Sequence, residues 1–146
     1  MRKKLKVVQI AAEIEPFSKS GGLANVMGSL PKTAAKLGCS VIVITPHYAD
    51  TLEFGNQTLE IVAENEEIEI TNGIFEKVTY LRGRLPDSSV PVYFISSKKY
   101  FGEPESGRIY GAKNDNTRFM FFDVAALQLL KKINWKPDII HCHDWH

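Results

Sequence analysis

Apolar residues are spaced along this chain in two alternating ways. Lys6–Ala12 (KVVQIAA), Ser40–Thr45 (SVIVIT) and Asp138–Cys142 (DIIHC) are short, β-branched and almost continuously apolar. That pattern predicts strands buried on both faces of a parallel sheet. Between the first two, Leu23, Val26, Met27, Leu30 and Ala34 recur at helical spacing and predict one buried stripe, ended by Gly38 at the C′ position. Pro31 falls inside this helix and predicts a kink or break, because proline has no N–H for the carbonyl four residues back. A second helix is predicted over Thr117–Ile133, capped by Asn114 or Asp115, and largely buried through Phe119, Met120, Phe122, Ala126, Leu129, Leu130 and Ile133.

From Gln57 to Ser96 the period changes to two, with turn signals at Glu64-Asn65-Glu66, Asn72-Gly73 and Pro86-Asp87-Ser88. This tract reads as antiparallel strands with one wet face, and Glu64, Glu66, Glu67 and Glu69 as its solvated side rather than a metal site. The whole order predicts an α/β domain: a Rossmann-like, open, mainly parallel sheet flanked by helices, with an antiparallel β-hairpin insertion.

Composition narrows the function classes. The 146 residues are 44% hydrophobic, enough for one domain with a core, and 18 Lys+Arg against 17 Asp+Glu give a formal charge of +1. No global field recruits nucleic acid or an anionic membrane, so any anionic ligand is caught locally. No run reaches the roughly 18 apolar residues of a membrane span, and Glu13 cuts short the apolar run behind the basic start. A cytoplasmic setting is expected, with Cys39 and Cys142 as buried thiols.

Local chemistry concentrates in EPFSKSGGLANV, Glu15 to Val26, at the first strand-to-helix crossover. A helix starting near Gly22 aims unpaired N–H groups and a partial positive charge into the crevice. Gly21 and Gly22 leave no side chain in front of those donors, and Lys19 adds a full charge, so the stretch suits a diphosphate. A tight turn alone also accounts for two glycines, and the GxGxxG spacing of dinucleotide sites is absent.

The end of the chain, His141-Cys142-His143-Asp144-Trp145-His146, raises a zinc site. His141 and His143 share one side of a strand, but Asp144 stands one place too early for HxHxDH and Trp145 fills its slot. No metal is expected, and the histidines read as hydrogen-bonded groups. Glu13 and Glu15, two residues apart in a loop, read as structural rather than as a glycosidase pair.

KSGGLANVMGSLPKTAAKLG, VIVITPHY, DNTRFMFF and PDIIHCHDWH, in this order, closely resemble the amino-terminal lobe of bacterial glycogen synthases and plant starch synthases. These are retaining glucosyltransferases with two Rossmann-like lobes, the GT-B architecture. The resemblance implies transfer of glucose from ADP-glucose, or UDP-glucose in some relatives, to the non-reducing end of an α-1,4-glucan, without a cofactor. It implies that Lys19 contacts the sugar nucleotide and that Gly21 and Gly22 lie against its phosphates. It places Asn25 where the family has an aspartate, and Asp115 and Asn116 at a sugar-binding helix start. It gives His146 the catalytic position beside the donor glucose.

Residues 1–146 then correspond to part of the amino-terminal lobe, and the carboxy-terminal lobe is missing. The chain by itself is expected to be inactive, with its last strand leaving an open edge for self-association. Two other classes remain at this stage: a non-catalytic module that binds glucan or an intact synthase, and a metal-dependent hydrolase built on the terminal histidines.

Overall fold

The computed structural model describes residues 3–49, 58–102 and 108–146. Met1 and Arg2 of the basic start, and Gln57 at the head of the alternating tract, lie outside them. The elements in chain order are β1 (Lys6–Ile10), α1 (Gly22–Lys36), β2 (Ser40–Pro46), β3 (Glu60–Thr71), β4 (Ile74–Arg84), β5 (Pro91–Ser96), α2 (Lys98–Phe101), α3 (Asp115–Lys132) and β6 (Ile139–Cys142). The six strands form one sheet in the order β3-β4-β5-β2-β1-β6. β1 runs parallel to β2 and β6, and β2 parallel to β5, while β4 is antiparallel to both of its neighbours. This is the mainly parallel open sheet with an antiparallel hairpin that the periodicities predict.

Continuous apolar strands arise because both faces are covered. Ile42 and Ile44 of β2 and Tyr93 and Ile95 of β5 join a core with Phe119, Phe122, Ala126 and Leu129 of α3. Val41 and Val43, with Val92 and Phe94, join a second core with Met27 of α1. Successive strand residues therefore supply opposite faces, and each fully buried side chain contributes about 1.5–3 kcal/mol.

Several expectations need correction. Of the kink or break expected at Pro31, the break does not occur: α1 continues through Pro31, which is buried with Ala24 and Met27. Packing there offsets the roughly 3 kcal/mol that an interior proline costs. The buried stripe omits Val26, which is 45% exposed, and α3 buries Phe121 in place of Met120, which is 61% exposed. Glu64-Asn65-Glu66 is no turn. The strand pairing jumps from Ala63 with Tyr80 to Glu66 with Val78, a bulge with Asn65 at φ 52 and its N–H on Thr79 Oγ1 at 3.1 Å. Asn72-Gly73 and Pro86-Asp87-Ser88 do turn the chain, between β3 and β4 and between β4 and β5.

β5 is not a half-wet antiparallel strand; it is buried on both faces and parallel to β2 on one side. Among the described residues β6 pairs with β1 alone, at the end of the strand order, and is exposed along its length. Cys142 is exposed with it and Cys39 is half-buried, so neither is the fully buried thiol expected. The short α2 had no periodic signature, since one turn is too brief to show one.

Candidate functional site

The loop from β1 to α1 is braced at both ends. Ile14 and Ser18 exchange backbone hydrogen bonds of 3.0 and 2.9 Å, and the Glu15 N–H donates to the Ala24 carbonyl at 3.1 Å. Lys19 stands half-exposed and pairs with Glu15 at 3.3 Å. Beneath them Glu13 is only 1% exposed, and its carboxylate accepts the N–H groups of Ser20 and of Gly21, the latter at 3.1 Å.

The two glycines are not there for backbone strain. Gly21 is extended at φ −150, and a Cβ on Gly22 would meet nothing within 4 Å. What they provide is a bare approach: α1 begins with no side-chain cap and no acidic residue in its first turn. Two donors of the loop, those of Ser20 and Gly21, already serve Glu13, so an incoming anion meets the N–H groups of the first helical turn.

His146 is held in an aromatic box. Its ring stacks on Tyr110 with centroids 4.5 Å apart, meets Phe119 edge-on at 4.8 Å and lies 4.1 Å from Trp145. Burial pushes the imidazole below its usual value; Asp144, Asp115 and Glu13 pull it up, and the Arg118 charge pulls it down. Nδ1 is buried and has no hydrogen-bond partner among the described residues. The Tyr110 hydroxyl hydrogen-bonds Glu13; burial first, then that carboxylate, raise its pKa.

Asp115 does not cap α3. Its carboxylate accepts the N–H groups of Gly111 at 2.8 Å and Ala112 at 3.2 Å, which folds the preceding loop, and it pairs with Arg118 at 2.8 Å. Asn114 holds the cap position without a side-chain hydrogen bond. Arg118 is fully buried, donates to the Ile109 carbonyl at 2.8 Å, and faces the rings of Phe119, Tyr48 and Phe101. The Tyr48 hydroxyl in turn donates to the Ala12 carbonyl at 2.6 Å.

The structure thus joins Gly21 to His146 through Glu13 and Tyr110, and sets Asp115 and Arg118 near enough to His146 for their charges to act on it. Asn25 and Asn116 are exposed, and neither side chain hydrogen-bonds another described residue. Sequence reasoning missed Tyr110, Arg118 and Tyr48; DNTRFMFF held one signal, a lone arginine in an apolar helical run. His141 and His143 stack ring on ring at 4.0 Å. Among the described residues, no three His, Cys, Asp or Glu side chains are grouped to hold a metal ion.

Glu13, Lys19, Gly21, Tyr48 and His146 follow the carboxyl ends of parallel strands β1, β2 and β6, and Tyr110, Asp115 and Arg118 lie just ahead of α3 or in its first turn; the carboxyl ends of the strands are where open α/β sheets receive ligands. In class, this is a Rossmann-like α/β lobe. The chain belongs to the family of the starch synthase catalytic domain, whose model matches residues 6–146. It is 41% identical over 143 residues to a glycogen synthase of Geotalea uraniireducens, covering 97% of this chain and 29% of that one. Glycogen synthase 1 of Geobacter metallireducens is also 41% identical, over 152 residues, with 99% and 29% covered. The catalytic domain of starch synthase IV from Arabidopsis thaliana, solved bound to ADP and acarbose, superposes with a TM-score of 0.84 at 37% identity, covering 98% of this chain and 28% of that one. The chain therefore spans a little over a quarter of the length of these relatives.

Proposed function

We propose that this chain is the donor-side lobe of an α-glucan synthase, which transfers glucose from ADP-glucose to the non-reducing end of an α-1,4-glucan with retention. The observation that carries the reading is the link from Gly21 through Glu13 and Tyr110 to His146, which joins a bare helix start to a half-buried imidazole. The Arabidopsis relative, solved with ADP and acarbose, supports a nucleotide and a glucan as the ligands.

In this reading the diphosphate sits on the N–H groups opening α1, and Lys19 exchanges Glu15 for a phosphate oxygen. The bond from glucose C1 to the phosphate oxygen breaks through an oxocarbenium-like state, and the acceptor hydroxyl oxygen forms the new bond on the same face. Its proton passes to the departing phosphate. Fixed donors at the helix start and Lys19 lower the barrier by stabilising the charge that builds on the leaving group. His146 offers Nδ1 to a donor-sugar hydroxyl; Asn25, Asp115 and Asn116 lie on the sugar side. A second lobe closes the cleft and excludes water. UDP-glucose is the alternative donor. No cofactor enters the reaction. The protein works in the cytoplasm, and no described helix is long and apolar enough to cross a membrane. The bare β6 edge supports self-association of the isolated chain.

The test is titration of the chain with ADP, followed by amide resonances. Shifts at Lys19, Gly22 and Leu23 are expected. Unmoved resonances there at millimolar ADP would sink the reading.

A further inference from the structure

Glu13 takes no chemical part in the proposed transfer, yet it is one of the most deeply buried ionisable groups in the fold. A carboxylate in that position needs partners on every side, since burying it unpaired is prohibitive. It finds them in two directions. The N–H groups of Ser20 and Gly21 reach it from the loop ahead of α1, and the Tyr110 hydroxyl reaches it from the loop ahead of α3. These loops are about ninety residues apart in sequence, and Glu13 itself follows β1. Tyr110 then passes the constraint on, because its ring is the face on which His146 stacks.

We propose that Glu13 is a positioning residue that fixes the loop ahead of α1 and His146 in one geometry, holding the phosphate and sugar ends of a bound nucleotide sugar in register. The inference rests on the donor-site reading for the identity of that ligand. Three donors on one carboxylate use most of its accepting capacity, so neither loop shifts without disturbing the other. The same carboxylate sets the depth of the site. Its charge lies behind the Ser20 and Gly21 amides and repels a phosphate from them, leaving only the first turn of α1 to receive one. A loop brace alone would account for the contacts with Ser20 and Gly21 but not for the contact with Tyr110.

The experiment compares the wild-type chain with Glu13→Gln and Tyr110→Phe by NMR, first without ligand. Gln keeps the size of Glu13 and one accepting oxygen for Ser20 and Gly21, but it removes the charge and sets an amide N–H₂ toward the Tyr110 hydroxyl, which must then turn from donor to acceptor. In Glu13→Gln the Ser20 and Gly21 amide resonances should move upfield, and the His146 ring protons should lose the upfield shift that Tyr110 imposes. Tyr110→Phe keeps the stacked ring and removes one donor, so the Ser20 and Gly21 amides should move although Tyr110 touches neither. Should Glu13→Gln fail to fold, Tyr110→Phe still decides the link. Movement at Ser20 and Gly21 in Glu13→Gln, with His146 unmoved, would overturn the proposal in favour of a local brace, as would unmoved amides in Tyr110→Phe.

ADP is then added to each folded chain. About a tenfold rise in Kd is expected for Glu13→Gln, with partial recovery in Glu13→Asp. Equal affinity in wild type and Glu13→Gln would overturn the positioning role. Absence of ADP binding by the wild-type chain would instead sink the donor-site reading, while the ligand-free resonances would still decide the link.

Discussion

The imidazole of His146 lies on the ring of Tyr110, with centroids 4.5 Å apart and planes inclined by 29°. Stacking against one aromatic and edge-on contact with Phe119 half-bury the ring, and this partial desolvation favours its neutral form. The nearby carboxylates of Asp144, Asp115 and Glu13 act the other way, and burial outweighs them. Burial therefore favours the uncharged ring, and its buried Nδ1 has no hydrogen-bond partner among the described residues. A sugar hydroxyl can serve that atom without the cost of neutralising a charge.

Acid should destabilise the fold earlier than its carboxylates alone would dictate. His146 and His143 are both held below their ordinary value of 6.5, His143 by burial and then by the stacked His141. The unfolded chain consequently binds more protons than the folded one as pH falls through that value, and stability drops over this window. Urea midpoints should fall between about pH 7.5 and about pH 5. The double variant His143→Gln/His146→Gln should flatten that slope. An unchanged slope would assign it to other groups.

Lys19→Ala should separate ligand binding from stability. The pair with Glu15 is half-exposed on both sides, so its loss should change unfolding free energy by less than about 1 kcal/mol. ADP affinity should fall about tenfold, because a full charge is withdrawn from the diphosphate. Calorimetry and urea denaturation on the same sample measure both. A large stability loss with unchanged affinity would reverse the role assigned to Lys19.

Arg118 should be among the least replaceable residues of the fold. It is fully buried, with its charge met by Asp115 and the Ile109 carbonyl and its plane set among three aromatic rings. Arg118→Ala leaves Asp115 without its cation and opens a cavity, and should cost about 3–5 kcal/mol. Arg118→Lys keeps the charge but cannot reproduce the fork, and should recover only part of this. Chemical denaturation checks both, and a near-neutral Arg118→Ala would refute the argument.

The sheet was legible because covering a strand on both faces forces a continuous apolar run, as Val41 to Ile44 shows. The same rule misread Ile139 and Ile140, which carry the buried-strand signature but stand at 45% and 47% exposure on the outermost strand. Composition records what a strand is suited to, not whether a neighbour covers it. Asn65 misled in another way, since a left-handed residue serves a bulge as readily as a turn. At the site, Lys19, Gly21 and Gly22 were visible as a local cluster. Tyr110 was not, because its importance comes from Glu13 and His146, residues far from it in sequence and brought to it only by the fold.

The β6 edge yields the last prediction. Ile139 and Ile140 expose apolar side chains on opposite faces of the strand, and among the described residues β6 pairs with β1 alone. An edge that is both apolar and unpaired is a template for another strand. The isolated chain should therefore associate in a concentration-dependent way, visible as a rising weight-average mass in sedimentation. Ile140→Lys places a charge on the exposed strand and should shift that association to higher concentration, while leaving the far-UV spectrum unchanged. The isolated chain, monomeric or associated, should incorporate no glucose from ADP-glucose into glycogen, since a self-paired edge supplies no second lobe to close over the donor. A monomer at all concentrations would show the edge to be inert. Glucose incorporation by the isolated chain would show that one lobe suffices for transfer.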